Sequence, residues 1–135
     1  DLLAETTTPD VHQTQTMQEL KTGALIKASA MMGVIVGGGN DTMLADVKRF
    51  SSHLGLAFQI ADDLLDYQAD AEQLGKPAGR DAEQGKASFV DLLGLEEARK
   101  QADNLIAKAC DSLESYGAAG DGLRGLAHFV INRNH

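Results

Sequence analysis

Gln59-Ile60-Ala61-Asp62-Asp63-Leu64-Leu65-Asp66 sets three carboxylates and an amide into an otherwise apolar helical pattern. At about 100° per residue, Gly55, Gln59, Asp62 and Asp66 project within roughly a 60° stripe, whereas Asp63 points about 100° away from Asp62. The opposite stripe carries Phe50, Leu54, Ala57, Ala61 and Leu65, an ordinary core face. The pattern therefore predicts one helix with a packed seam on one side and a small-residue groove with stacked carboxylates on the other. Two Asp residues at i, i+4 repel each other by a few tenths of a kcal/mol when nothing sits between them. A divalent cation removes that cost, and oxygen ligands at this spacing suit Mg²⁺ or Mn²⁺ rather than Zn²⁺. The competing reading is a solvated acidic face, which is where most Asp pairs on helices belong.

Outward from this stretch, the pattern stays helical. Residues 1 to about 10 are read as a loop, followed from about Val11 to Val36 by one helix or two abutting ones, broken near Lys21. Gly37-Gly38-Gly39-Asn40 ends it, with Asp41 or Thr42 capping the next helix. That glycine run lacks the strand and the Lys-Ser/Thr of a phosphate loop. The motif helix is expected from about Thr42 to Tyr67. Residues 70–94 are Gly-rich and irregular, with one helical turn near Asp91. A further helix from Leu95 to about Tyr116 repeats apolar residues at Ala98, Ala102, Leu105, Ile106, Ala109 and Leu113, and a short one covers Asp121 to Asn132.

Composition points the same way. The 135 residues make about one domain, 43% hydrophobic but only 4% aromatic and without Trp, so Ala, Leu, Ile and Met must build the core. An all-α single domain over 1–135 is the expectation. A net charge of −8 argues against a nucleic-acid surface, which needs clustered Lys and Arg. No apolar run is long enough to predict a membrane span. The single Cys110 excludes an internal disulfide framework, fits a reducing cytosol and hence a cytoplasmic protein, and falls in the apolar register of its helix. His12, His53, His128 and His135 show no metal-ligand spacing and read as surface or packing residues. Met17, Met31, Met32 and Met43 read as core filler.

Leu56-Ala57-Phe58-Gln59-Ile60-Ala61-Asp62-Asp63-Leu64-Leu65-Asp66 resembles the second aspartate-rich motif, D-D-x-x-D, of the trans-isoprenyl diphosphate synthases. Upstream, Leu20-Lys21-Thr22-Gly23-Ala24-Leu25-Ile26 resembles that family's K-T motif. Downstream, Leu74-Gly75-Lys76-Pro77-Ala78-Gly79-Arg80-Asp81 and Gly85-Lys86-Ala87-Ser88-Phe89 resemble its basic loop. Leu92-Leu93-Gly94-Leu95-Glu96-Glu97-Ala98-Arg99 and the tail Phe129-Val130-Ile131-Asn132-Arg133-Asn134 continue the match. D-D-x-x-D alone is a weak signal, but four ordered motifs are a strong one. Their order and spacing look most like bacterial farnesyl diphosphate synthases (geranyltranstransferases).

The resemblance implies an all-α fold, the C-terminal portion of a prenyl-synthase helical bundle. The family is usually about twice as long, and its first aspartate-rich motif lies in the N-terminal half; no second D-D-x-x-D occurs here. The chain is therefore expected to be a C-terminal half, separated from an N-terminal half and inactive alone. By resemblance, the activity is Mg²⁺- or Mn²⁺-dependent condensation of isopentenyl diphosphate with an allylic diphosphate, carried out by a homodimer. Asp62 is the leading metal ligand, Asp66 binds the ion directly or holds its water, and Asp63 makes a supporting hydrogen bond. Lys21, with Thr22 beside it, grips the allylic diphosphate, and Gln59 donates to the substrate and lines the pocket. Lys76 matches a loop lysine that closes over the diphosphate. Lys86 is a second candidate in a segment that departs from the family's Ser/Thr-x-Pro at Ala87-Ser88-Phe89-Val90. Arg133 could reach the homoallylic diphosphate, although an exposed terminal arginine is the simpler reading. The rival readings are a non-catalytic subunit of a heteromeric synthase and an acidic helical interaction module.

Overall fold

The computed structural model describes Gln13, Met17, residues 19–74 and residues 88–133. The expected first loop and the candidates Lys76 and Lys86 lie outside the described residues. Among those residues the chain is all-α. A π-helical turn, Glu19–Gly23, leads into α1 (Ala24–Val36), placing the expected break at Lys21. Single π turns of this kind occur frequently at functional sites. Gly38 takes a φ of 75° in the turn that follows, a conformation that suits a residue without a Cβ.

α2 (Asp41–Leu74) is the central helix and contacts every other one. Its cap is Asn40, one residue earlier than expected: Asn40 Oδ1 accepts from the Met43 N–H at 2.9 Å. α2 also runs about two turns past the expected Tyr67 end. Gln68-Ala69-Asp70-Ala71-Glu72-Gln73-Leu74 contains good helix formers and no breaker, so nothing stops propagation before Gly75. The predicted seam is the core except at its end: Phe50, Leu54, Ala57 and Ala61 are buried with Ile106, Ala109 and Leu113 from the far side, whereas Leu65 is only half-buried and borders a cleft.

Beyond the undescribed segment, Ser88 opens α3 (Phe89–Leu93) with a capping box to Asp91, the helical turn expected there. α4 (Leu95–Asp111) follows after Gly94 and buries Ala98, Ala102, Ile106 and Ala109. It ends before the expected Tyr116. Ser112 bonds back to the Lys108 carbonyl at 3.0 Å, and the chain tightens into a 3₁₀ segment, Glu114–Gly120, with Gly117 at φ 55°. α5 (Asp121–Asn132) occupies the expected span and buries Ala127 and Val130. A second cluster joins Ile60 of α2 to Phe89, Val90, Ala98 and Ala102.

Two polar ties fix the far end of the bundle. Buried Asp46 pairs with Arg49 and accepts from the Tyr116 hydroxyl at 2.5 Å, which pins the 3₁₀ segment to α2. That hydrogen bond raises the Tyr116 pKa above its usual value. Arg124 of α5 donates to the Leu113 and Gly117 carbonyls and pairs with Asp121.

The methionine expectation fails. None of Met17, Met31, Met32 and Met43 is buried, and Met32 is 58% exposed. For Met31 and Met32 the cause is α1 itself, which buries no residue at all. Leu25, Met32 and Val36, at i, i+7 and i+11, form one stripe of this helix, and all three are exposed. Leu123, Leu126 and Phe129 of α5 are exposed as well. Both helices therefore carry apolar faces left exposed among the described residues.

Candidate functional site

The site is built where α1 crosses α2. Gly55 lies on the motif stripe, and a Cβ there would stand 3.0 Å from the Gly23 Cα, so the two backbones meet at a glycine pair. The Gly37–Asn40 turn makes α1 and α2 antiparallel. Stepping back from Gly23 to Thr22 and Lys21 thus moves along α2 from Gly55 toward Gln59 and the aspartates. The π turn carries Lys21, exposed, and Thr22, half-buried.

Gln59 departs from a surface amide. It is 8% exposed, one turn before Asp62, and buried amides demand hydrogen-bond partners. Asp62 retains partial exposure, and Asp66 is exposed on the same stripe. Asp63 points away, as its helical angle requires. Its Oδ2 accepts from the Phe89 N–H at 2.9 Å, tying α2 to the start of α3 immediately after the undescribed segment 75–87. That bond makes Asp63 a structural anchor between α2 and α3.

Arg133 contradicts the simpler expectation of an exposed terminal arginine. Its side chain is 22% exposed, its Nη2 donates to Asp62 Oδ1, and its guanidinium carbon lies 4.4 Å from the Phe58 ring centroid. Arg133 Nε is buried without a hydrogen-bond partner among the described residues. The sequence offered one signal for this pairing, a cation directly after the last helix. A contact spanning 71 positions is invisible to helical periodicity.

A cleft of about 310 Å³ lies on the other side of α2, lined by Ala61, Leu64, Gln68, Arg99, Asp103 and Arg133 among others. It opens between α2, α4 and the end of α5, away from the stripe bearing Gly55 and Gln59. The cleft has charged lining too, and Arg133 borders both, but the stripe sets two carboxylates one turn apart beside a buried amide, so the stripe is the candidate site.

No group of three or more His, Cys, Asp or Glu side chains able to hold a metal occurs among the described residues. Asp62 and Asp66 alone offer two carboxylates. Mg²⁺ keeps several waters and commonly takes one or two carboxylates plus substrate phosphates. The donor set therefore fits a metal held jointly with a diphosphate rather than one caged by this chain. Among the described residues, His53 and His128 lie outside any such group. His53 sits by Arg49 and Lys108, where burial and then those two cations push its pKa below the usual value. Cys110 lies 3.8 Å from His128 and packs against the core, its thiol pKa raised by burial.

Among the described residues, no helix is long and apolar enough to cross a membrane. Comparison with known proteins gives a consistent result. A dimethylallyltranstransferase from Fischerella ambigua (strain UTEX 1903) is 43% identical over 115 residues, 85% of this chain and 33% of that protein. Geranylgeranyl pyrophosphate synthase 9 of Arabidopsis thaliana is 37% identical over 139 residues, 100% of this chain and 39% of its own. The chain thus spans little more than a third of these relatives. The apo crystal structure of an FPP/GFPP synthase from Zymomonas mobilis superposes with a TM-score of 0.78 at 38% identity, covering 97% of this chain and 42% of that one. A geranyltransferase from Helicobacter pylori, complexed with magnesium and isoprenyl diphosphate, matches with a TM-score of 0.73 at 33% identity over 98% and 43%. The family model described as polyprenyl synthetase matches residues 1–118, and the chain belongs to that family.

Proposed function

We propose that this chain supplies the second aspartate-rich half-site of a Mg²⁺-dependent prenyltransferase that condenses isopentenyl diphosphate with an allylic diphosphate. The observation that carries the reading is the Gly23–Gly55 crossing. It brings the Lys21-Thr22 turn and the Gln59, Asp62, Asp66 stripe of a second helix to one side of the bundle. On this reading a cationic group, a hydroxyl, a buried amide and two carboxylates act together, which is the set a diphosphate and its metal require.

In this reaction the allylic C–O bond breaks and its electron pair leaves with diphosphate. The isopentenyl double bond attacks the resulting cation, and a proton is lost. The barrier is dominated by charge separation, so stabilising the leaving diphosphate is the main catalytic task. Asp62 and Asp66 would hold the metal, which when bound supplies Lewis-acid polarisation of diphosphate oxygens. Lys21 and Thr22 bind the diphosphate directly, and Gln59 donates from the pocket wall. Asp63 holds α3, and with it the following chain, against the motif helix. By the family resemblance, Lys76 and Lys86 would add cations to the diphosphate. The exposed apolar stripes of α1 and α5 support a remaining set of helices, carrying the first aspartate-rich motif, that completes the cavity.

The test is complementation. Assayed alone with Mg²⁺ and both substrates, the chain should show no sustained turnover. Supplied with an N-terminal half bearing the first aspartate-rich motif, it should form product. Turnover by the chain alone would overturn the half-site reading.

A further inference from the structure

α5 ends at Asn132, and Arg133 follows in extended backbone at φ −68°, ψ 144°. Phe58 and Asp62 lie four residues apart on α2, so one helical turn presents an aromatic face and a carboxylate to the same guanidinium. The cation is held well enough to be 22% exposed, yet its Nε is left without a partner among the described residues. An unsatisfied buried N–H makes this pose costly, so it depends on the carboxylate. A guanidinium donating to Asp62 Oδ1 occupies one of the two oxygens a divalent cation would use, and its charge weakens that carboxylate as a ligand.

We propose that Arg133 is a built-in counter-ion of Asp62 that surrenders the carboxylate when a divalent cation binds, so that metal loading releases the end of α5 from α2. The inference rests on the reading of Asp62 as a metal-binding carboxylate. In the metal-free chain Arg133 offsets the repulsion between Asp62 and Asp66. Metal occupancy then reaches the C-terminal segment through one ion pair and one ring contact. Arg133 acts through Asp62 and is a positioning residue.

The experiment uses Mn²⁺ alone as the probe, with free metal read by electron paramagnetic resonance on the intact chain. Removing the competitor in Arg133→Ala should tighten Mn²⁺ binding about twofold to fivefold, the worth of a partly exposed ion pair. Arg133→Lys keeps the charge but not the planar fork and should tighten it less. Independently, the Arg133 Nε–H resonance of the unmutated chain should shift during Mg²⁺ titration with the midpoint of metal binding. Equal or weaker Mn²⁺ binding by Arg133→Ala, or an unmoved Nε–H signal, overturns the proposal. Asp62→Ala separates the two failures. If it abolishes Mn²⁺ binding while Arg133→Ala changes nothing, the counter-ion inference falls alone. If it leaves Mn²⁺ binding intact, the half-site reading falls and the inference with it.

Discussion

Replacing Gly55 by alanine sets two measurable effects against each other. The new Cβ would stand 3.0 Å from the Gly23 Cα, against about 3.5–4.0 Å for comfortable carbon contacts. Its neighbour is backbone and has no rotamer to change, so the π turn must back away by about half to one ångström. Gly→Ala in a helix interior gains about 1 kcal/mol of propensity. Overpacking a tight contact costs about 1–3 kcal/mol. The net expectation for Gly55→Ala is a loss of about 0–2 kcal/mol. Gly55→Val adds two more carbons and forfeits part of the propensity gain, so it should lose about 2 kcal/mol or more. Urea unfolding followed by far-UV circular dichroism reads the stability. Mg²⁺-dependent binding of inorganic diphosphate reads the site, and it should weaken about tenfold, because the shifted turn carries Lys21 and Thr22. If Gly55→Ala were about 1 kcal/mol more stable with binding unchanged, propensity would have won, and the crossing would not position the site.

The exposed stripes of α1 and α5 should drive association at micromolar concentration, giving a dimer or larger species by light scattering. A well-behaved monomer would show that these faces need no partner. His53 has a folded pKa below 6.5, so it binds its proton less readily folded than unfolded. The stability it contributes is full above that value and is lost as pH falls through the folded pKa. Urea midpoints stepped down from about pH 7 should therefore fall, and more shallowly in His53→Gln than in the unmutated chain. Equal slopes would assign the pH dependence to other groups.

Periodicity carried the core well because one helix dominates it. Phe50, Leu54, Ala57 and Ala61 are buried as their spacing requires, and α5 begins and ends where Asp121 and Asn132 place it. Breaks were legible where chemistry forces them, at Lys21 and at the glycine run before Asn40. Ends without a breaker were not. α2 overran Tyr67 because its residues tolerate helix, and α4 stopped short because Ser112 turned its hydroxyl back on the chain. The methionines misled because apolar spacing marks a face that can be buried without saying what buries it. On α2, Asp62 and Asp63 face different partners as their helical angles require, and Gln59 is buried. The Arg133 pairing and the anchoring of Phe89 by Asp63 depend on tertiary approach, which no local pattern encodes.

The central claim is that the stripe through Gln59, Asp62 and Asp66 holds a metal diphosphate and that Asp63 does not. Calorimetric binding of geranyl diphosphate, with and without Mg²⁺, across the three alanine variants tests it directly. Asp62→Ala should abolish the Mg²⁺-dependent binding, and Asp66→Ala should weaken it less completely. Asp63→Ala should keep it while losing about 1 kcal/mol of stability through the unpaired Phe89 N–H. Binding abolished by Asp63→Ala but retained in Asp62→Ala, or binding indifferent to Mg²⁺, would contradict the account.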